Sequence, residues 1–113
     1  MVSANILRDV VYNEDQPAIK VLYETATTKE VRVAFKAGQK MKEHQTPFPI
    51  SVEMVRGELD FGVEGTVHHL VEGDLLYLDG AVPHDLLAIQ ETIVRLTLSK
   101  RDTIKRVENV INL

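Results

Sequence analysis

Hydrophobic and polar positions alternate along most of this chain with a period of two. Val31-Arg32-Val33-Ala34-Phe35-Lys36, Ile50-Ser51-Val52-Glu53-Met54 and Leu59-Asp60-Phe61-Gly62-Val63-Glu64 each place apolar side chains on one face of an extended segment, the pattern of a half-buried strand. Ala18 to Tyr23 and Ile93 to Leu98 are also apolar and β-branched, and Thr66 to Val71 and Leu75 to Leu78 are shorter runs between breaks. With strands also opened or closed by His44 and His84, at least eight are expected. The breaks fall at Ala37-Gly38, Arg56-Gly57, Glu64-Gly65, Glu72-Gly73-Asp74 and Asp79-Gly80, where glycine supplies the positive φ of tight hairpins. Short antiparallel strands in this rhythm predict an all-β barrel or double-sheet sandwich of the jelly-roll kind, which leaves few exposed edges. Only the last stretch departs. Ile104, Val107 and Ile111 behind Asp102 fit a short C-terminal helix or an extra strand.

At 113 residues, with no linker, repeat or low-complexity stretch, the chain is expected to form a single domain over 1-113. A formal charge of −4 and the lack of a clustered Lys/Arg stretch argue against nucleic acid and against a basic membrane patch. No apolar run reaches membrane-spanning length and no secretory leader is legible at the N-terminus, so a cytoplasmic location is the default expectation. Without cysteine the chain has no disulfide and no thiolate chemistry. Histidine and carboxylate chemistry is what remains.

His44 and His84 lie beside turn residues, each at the end of an apolar strand, so a barrel can bring their imidazoles together across its interior. The adjacent His68-His69 pair cannot chelate one ion, because neighbouring strand residues face opposite sides. Thr46-Pro47-Phe48-Pro49 is a rigid loop leading into a strand; Phe48 is read either as a cover for the pocket mouth or as an anchor in the core. Met41, Ile50, Val52, Met54, Tyr77 and Leu86 are the apolar candidates to line the cavity. Tyr77 adds a phenol that needs a partner if buried. Arg32 falls opposite the apolar face of its strand and is read as solvated.

The order Gly38, His44, Gly57, followed by Gly73 and Pro83-His84, resembles the two signature motifs of the cupin superfamily. With the flanking strands the resemblance covers about residues 30-98. It implies a double-stranded β-helix, a small organic ligand in the barrel around His44 and His84, and a homodimer. The family's metal centre would add a divalent ion such as zinc, nickel, manganese or iron. Thr46 and Ile50, however, stand where further ligands are expected, and Asp79 and Ala81 replace the proline and glycine of the second turn. His44 and His84 are therefore the candidate metal or catalytic residues, in an incomplete ligand set, and Thr46, Phe48, Ile50 and Tyr77 are the candidate ligand contacts. Metal-assisted chemistry, histidine-assisted chemistry by a neutral imidazole base, and a metal-free binding or sensing module without turnover all remain open.

Overall fold

Nine strands and no helix make up the described part of the chain, residues 1-100 of a computed structural model; the expected C-terminal helix or strand lies outside it. The strands are β1 (Ala18–Glu24), β2 (Thr28–Phe35), β3 (Lys40–His44), β4 (Ile50–Arg56), β5 (Glu58–Val63), β6 (Thr66–Val71), β7 (Leu75–Leu78), β8 (His84–Ala88) and β9 (Thr92–Ser99). They pair antiparallel in two sheets, one ordered β1-β2-β9-β4-β7 and the other β3-β8-β5-β6. Consecutive strands such as β4 and β5 belong to different sheets, so the chain crosses repeatedly between the layers.

The alternation read from sequence decides which side faces in. Val31, Val33 and Phe35 of β2, Ile50, Val52 and Met54 of β4, and Val94, Leu96 and Leu98 of β9 meet Leu59 and Phe61 of β5 and Leu86 and Ala88 of β8 in one buried cluster. Burying a branched or aromatic side chain of this size contributes about 1.5–3 kcal/mol relative to leaving it in water, so this shared face holds the two sheets together. Glu64 and Gly65 both take positive φ, 51° and 79°, as a two-residue turn between β5 and β6 requires.

Arg32 corrects the sequence reading. It does point away from the apolar face, yet it is only 3% exposed, because the segment before β1 lies across it. Its guanidinium donates to the carbonyls of Ile6 and Arg8 at 3.1 Å and of Asp9 at 3.5 Å. Lys36 reaches Glu14 at 2.8 Å, and the Gln39 amide donates to the Asn13 carbonyl at 2.8 Å, so the same segment is tied down twice more. Beside it, Glu30 is buried and accepts hydrogen bonds from Arg95, Thr97 and Thr28. Burial pushes the Glu30 carboxyl up, and these three donors outweigh that effect and hold it below its ordinary value.

Candidate functional site

His44 closes β3 and His84 opens β8, and the two residues are direct cross-strand partners. Parity alone would have separated His44 from the core. Met41 pairs with Leu86 and His44 with His84, so three steps along β3 match two along β8, and the extra residue is absorbed as an irregularity between Met41 and His44. A bulge of this kind turns a side chain to the other face. His44 thereby shares the inner face with Met41, and the two ring centroids lie 4.2 Å apart at a 59° tilt. Phe61 stacks on His84 from β5, its ring nearly parallel at 7° with centroids 5.4 Å apart.

The hydrogen bonds fix the tautomers. His44 Nδ1 lies 2.7 Å from the Lys42 carbonyl and His84 Nδ1 lies 2.9 Å from the Val82 carbonyl. A carbonyl oxygen only accepts, so each Nδ1 carries the proton and each neutral ring keeps its lone pair on Nε2. Neither Nε2 has a hydrogen-bond partner among the described residues. Burial holds both imidazoles below their ordinary pKa; the two backbone carbonyls and Asp85 oppose this, while His44 lowers His84 further.

Both rings line a cavity of about 30 Å³ with Thr46, Ile50, Leu98 and Met41 among its walls. That is room for one water-sized group. The cavity sits at the end of the barrel where β3 and β9 finish and β4 and β8 begin, whereas Phe35, Met54 and Leu59 pack the core toward the other end. Of the expected contacts, Thr46 and Ile50 do join His44 and His84 here. Val52 and Leu86 line the cavity as well, and Met54 packs in the core without reaching it. Phe48 is half-buried and not part of the lining, although its carbonyl accepts the Thr46 hydroxyl hydrogen.

Tyr77 is the clear correction. The register of β7 on β4 sets Leu78 opposite Ile50 and Leu76 opposite Val52, which sends Tyr77 to the outer face, 63% exposed. Leu75-Leu76-Tyr77-Leu78 contains no polar residue to reveal this phase. Tyr77 instead borders a larger groove of about 470 Å³ on the outside of the five-stranded sheet, with Arg95, Glu53, Ser51, Thr97 and Leu75. Arg95 there is already engaged by Glu30 at 3.0 Å and faces Glu53 at 3.6 Å. The two imidazoles with unpartnered Nε2 atoms line the smaller cavity and not this groove.

His69 faces outward between Asp60 at 2.9 Å and Glu58 at 3.2 Å, while His68 lies across from Phe61 on the exposed edge strand β6, so the adjacent pair splits as expected. A resident divalent ion does not fit the pocket. Such an ion needs about three or four protein donors, and the cavity offers two imidazole nitrogens, a threonine hydroxyl already donating to a carbonyl, and the aliphatic Ile50. Among the described residues no group of three or more His, Cys, Asp or Glu could hold a metal.

Two loops clasp at this end of the barrel. The Ala81 N–H donates to the Thr46 carbonyl, and a Cβ on Gly80 would lie 2.5 Å from the Pro47 carbonyl oxygen. Positive φ falls not on Gly80 but on Ala81, at 63°. Ala81→Gly is therefore expected to raise stability by about 0.5–1 kcal/mol, the relief of left-handed strain less the entropy that glycine adds to the unfolded chain. Gly80→Ala should cost about 2 kcal/mol by overpacking against backbone. Urea denaturation of the two variants checks the opposite signs.

No family model and no curated protein matches the sequence. Solved structures do match. An RmlC-like cupin protein from Desulfovibrio desulfuricans superposes with a TM-score of 0.80 at 25% identity, over 88% of this chain and 96% of that one. KdgF from Halomonas sp. gives 0.74 at 20% identity, over 90% and 97%. A conserved protein with a double-stranded β-helix domain from Klebsiella pneumoniae gives 0.72 at 21%, over 83% and 86%. No helix among the described residues is long and apolar enough to cross a membrane.

Proposed function

From a chain with the cupin fold, a double-stranded β-helix, we propose a small-molecule pocket in which His44 and His84 bind an organic ligand without a resident metal. The observation that carries this reading is the pair of unpartnered Nε2 lone pairs in one enclosed, otherwise apolar cavity. Buried polar atoms are normally satisfied, and here each imidazole spends only its Nδ1 on the protein. A ligand supplies the missing partner. The same lone pair can take a proton from the bound group, because burial keeps both rings neutral near pH 7. Binding alone and histidine-assisted proton transfer share this geometry, and turnover of a bound compound separates them.

The test is a thermal-shift screen of small alcohols, amines, sugars and organic acids, each with and without zinc, nickel, manganese or ferrous salts. At least one compound is expected to stabilise the protein without added metal. His44→Ala and His84→Ala should each weaken that binding tenfold or more, and His68→Ala should leave it unchanged. Binding that requires a metal, or equal losses from His68→Ala and His84→Ala, would overturn the proposal.

A further inference from the structure

The pocket has acceptors and no donor. Met41, Ile50, Val52, Phe61, Leu86, Leu96 and Leu98 contribute apolar surface, and the Thr46 hydroxyl hydrogen is directed to the Phe48 carbonyl. Both Nδ1–H groups are directed to backbone carbonyls. Among the side-chain polar atoms of the lining residues, the two imidazole Nε2 lone pairs and the Thr46 oxygen are what remain to accept a hydrogen bond. We infer that the group this pocket receives is a hydrogen-bond donor on a small apolar carbon, an alcohol O–H or an amine N–H, and that carboxylates, carbonyls and phosphates are refused. This rests on the reading of His44 and His84 as a ligand site and adds the chemical class it takes.

The physical reason is complementarity of lone pairs and hydrogens. A carboxylate or ketone oxygen brought here would set its lone pairs against those of the rings and lose its hydration with no hydrogen bond in return. Leaving a buried polar group unsatisfied weakens binding by about 5- to 150-fold. A hydroxyl or amine gives up a water partner and gains an imidazole. Size adds a second filter, since a cavity of about 30 Å³ admits only the terminal group of a ligand. Cation recognition by a carboxylate has no place here either, because the nearest acid affecting both rings, Asp85, follows His84 on β8 and points to the opposite face.

The experiment is nitrogen NMR on the full chain with 15N-labelled histidine at pH 7.5. Before any ligand is added, His44 and His84 should both show a protonated Nδ1 and a bare Nε2, and the reverse tautomer in either ring would overturn the inference outright. Ethanol, methanol, acetonitrile and acetate are then titrated as small probes. Saturable shifts at Nε2 of His44 or His84 are expected with ethanol or methanol, at least fivefold weaker with acetonitrile and acetate, and none at His68. Acetate or acetonitrile binding as well as ethanol would overturn the donor class while leaving the pocket standing. If none of the four probes moves either Nε2, the ligand site itself is wrong and this inference falls with it.

Discussion

Gly57→Ala is expected to destabilise the fold by about 4 kcal/mol, the largest effect expected for alanine at any of the chain's glycines. Two costs coincide at this position. Gly57 holds φ at +98°, outside the range an L-residue adopts comfortably, which costs about 1–3 kcal/mol. A Cβ there would also meet the Glu91 carbonyl oxygen and lie 2.5 Å from Thr92 Oγ1 and 2.7 Å from Thr92 Cα. Thr92 cannot retreat. It is fully buried, its hydroxyl accepts from the Glu58 N–H, and the carbonyls of Gln90 and Glu58 lie 2.8 and 3.0 Å away as acceptors for its single hydrogen. Overpacking against such a site adds about 1–3 kcal/mol. Gly38→Ala is the matched control, with φ at +87° but nothing within 4 Å of the added carbon, and should cost only about 1–2 kcal/mol. For a domain of this size, about 4 kcal/mol lowers the melting temperature by some ~15 °C or more. Equal losses from the two alanines in a urea titration would show that the close approach to Thr92 is not what Gly57 provides.

The glycines were legible in the sequence because they punctuate a strong period of two, and four of the five expected breaks hold a glycine at positive φ. Strand identity was legible for the same reason: Leu59 to Glu64 becomes β5 over Glu58–Val63, and Ile93 to Leu98 lies within β9 over Thr92–Ser99. Geometry that breaks the period was not. The extra residue between Met41 and His44 reverses the phase of His44 and leaves no mark in Met41-Lys42-Glu43-His44, since a bulge depends on what the partner strand offers. Tyr77 failed for the opposite reason, as it sits among three leucines in a run of four residues that carries no phase at all. Arg32 was placed on the correct face, but its burial depends on a segment more than twenty residues upstream, whose backbone carbonyls receive it. A charged side chain can be read as pointing outward from its own strand, and sequence period says nothing about what later covers that face.

Acid should weaken this protein through the same two histidines that mark its pocket. Both pKa values are held below the ordinary value of about 6.5 by burial, so below that pH the unfolded chain binds protons that the folded chain resists. Stability is full above the unfolded pKa and falls as pH drops through about 6.5 toward the folded values. The slope is at most about 1.4 kcal/mol per pH unit for each histidine, so about 3 kcal/mol per unit bounds the pair. With centroids 4.2 Å apart, the first charge repels the second and spreads the two steps. His69 runs the other way. The hydrogen bond to Asp60 holds its pKa above the ordinary value despite some burial cost, with Glu58 assisting, so its contribution is present at low pH and is lost as pH rises through the folded pKa. The double variant His44→Gln/His84→Gln should therefore show a flatter stability profile between pH 7 and 5, whatever it loses in absolute stability, and His69→Gln a steeper one. Glu30 is separable, because a carboxylate held below its ordinary value loses its contribution only at more acid pH. Chemical denaturation at half-unit pH intervals measures all three profiles. If the double variant keeps the wild-type slope over that window, burial does not oppose protonation of the two imidazoles, and the enclosed, water-poor surroundings assigned to them are wrong.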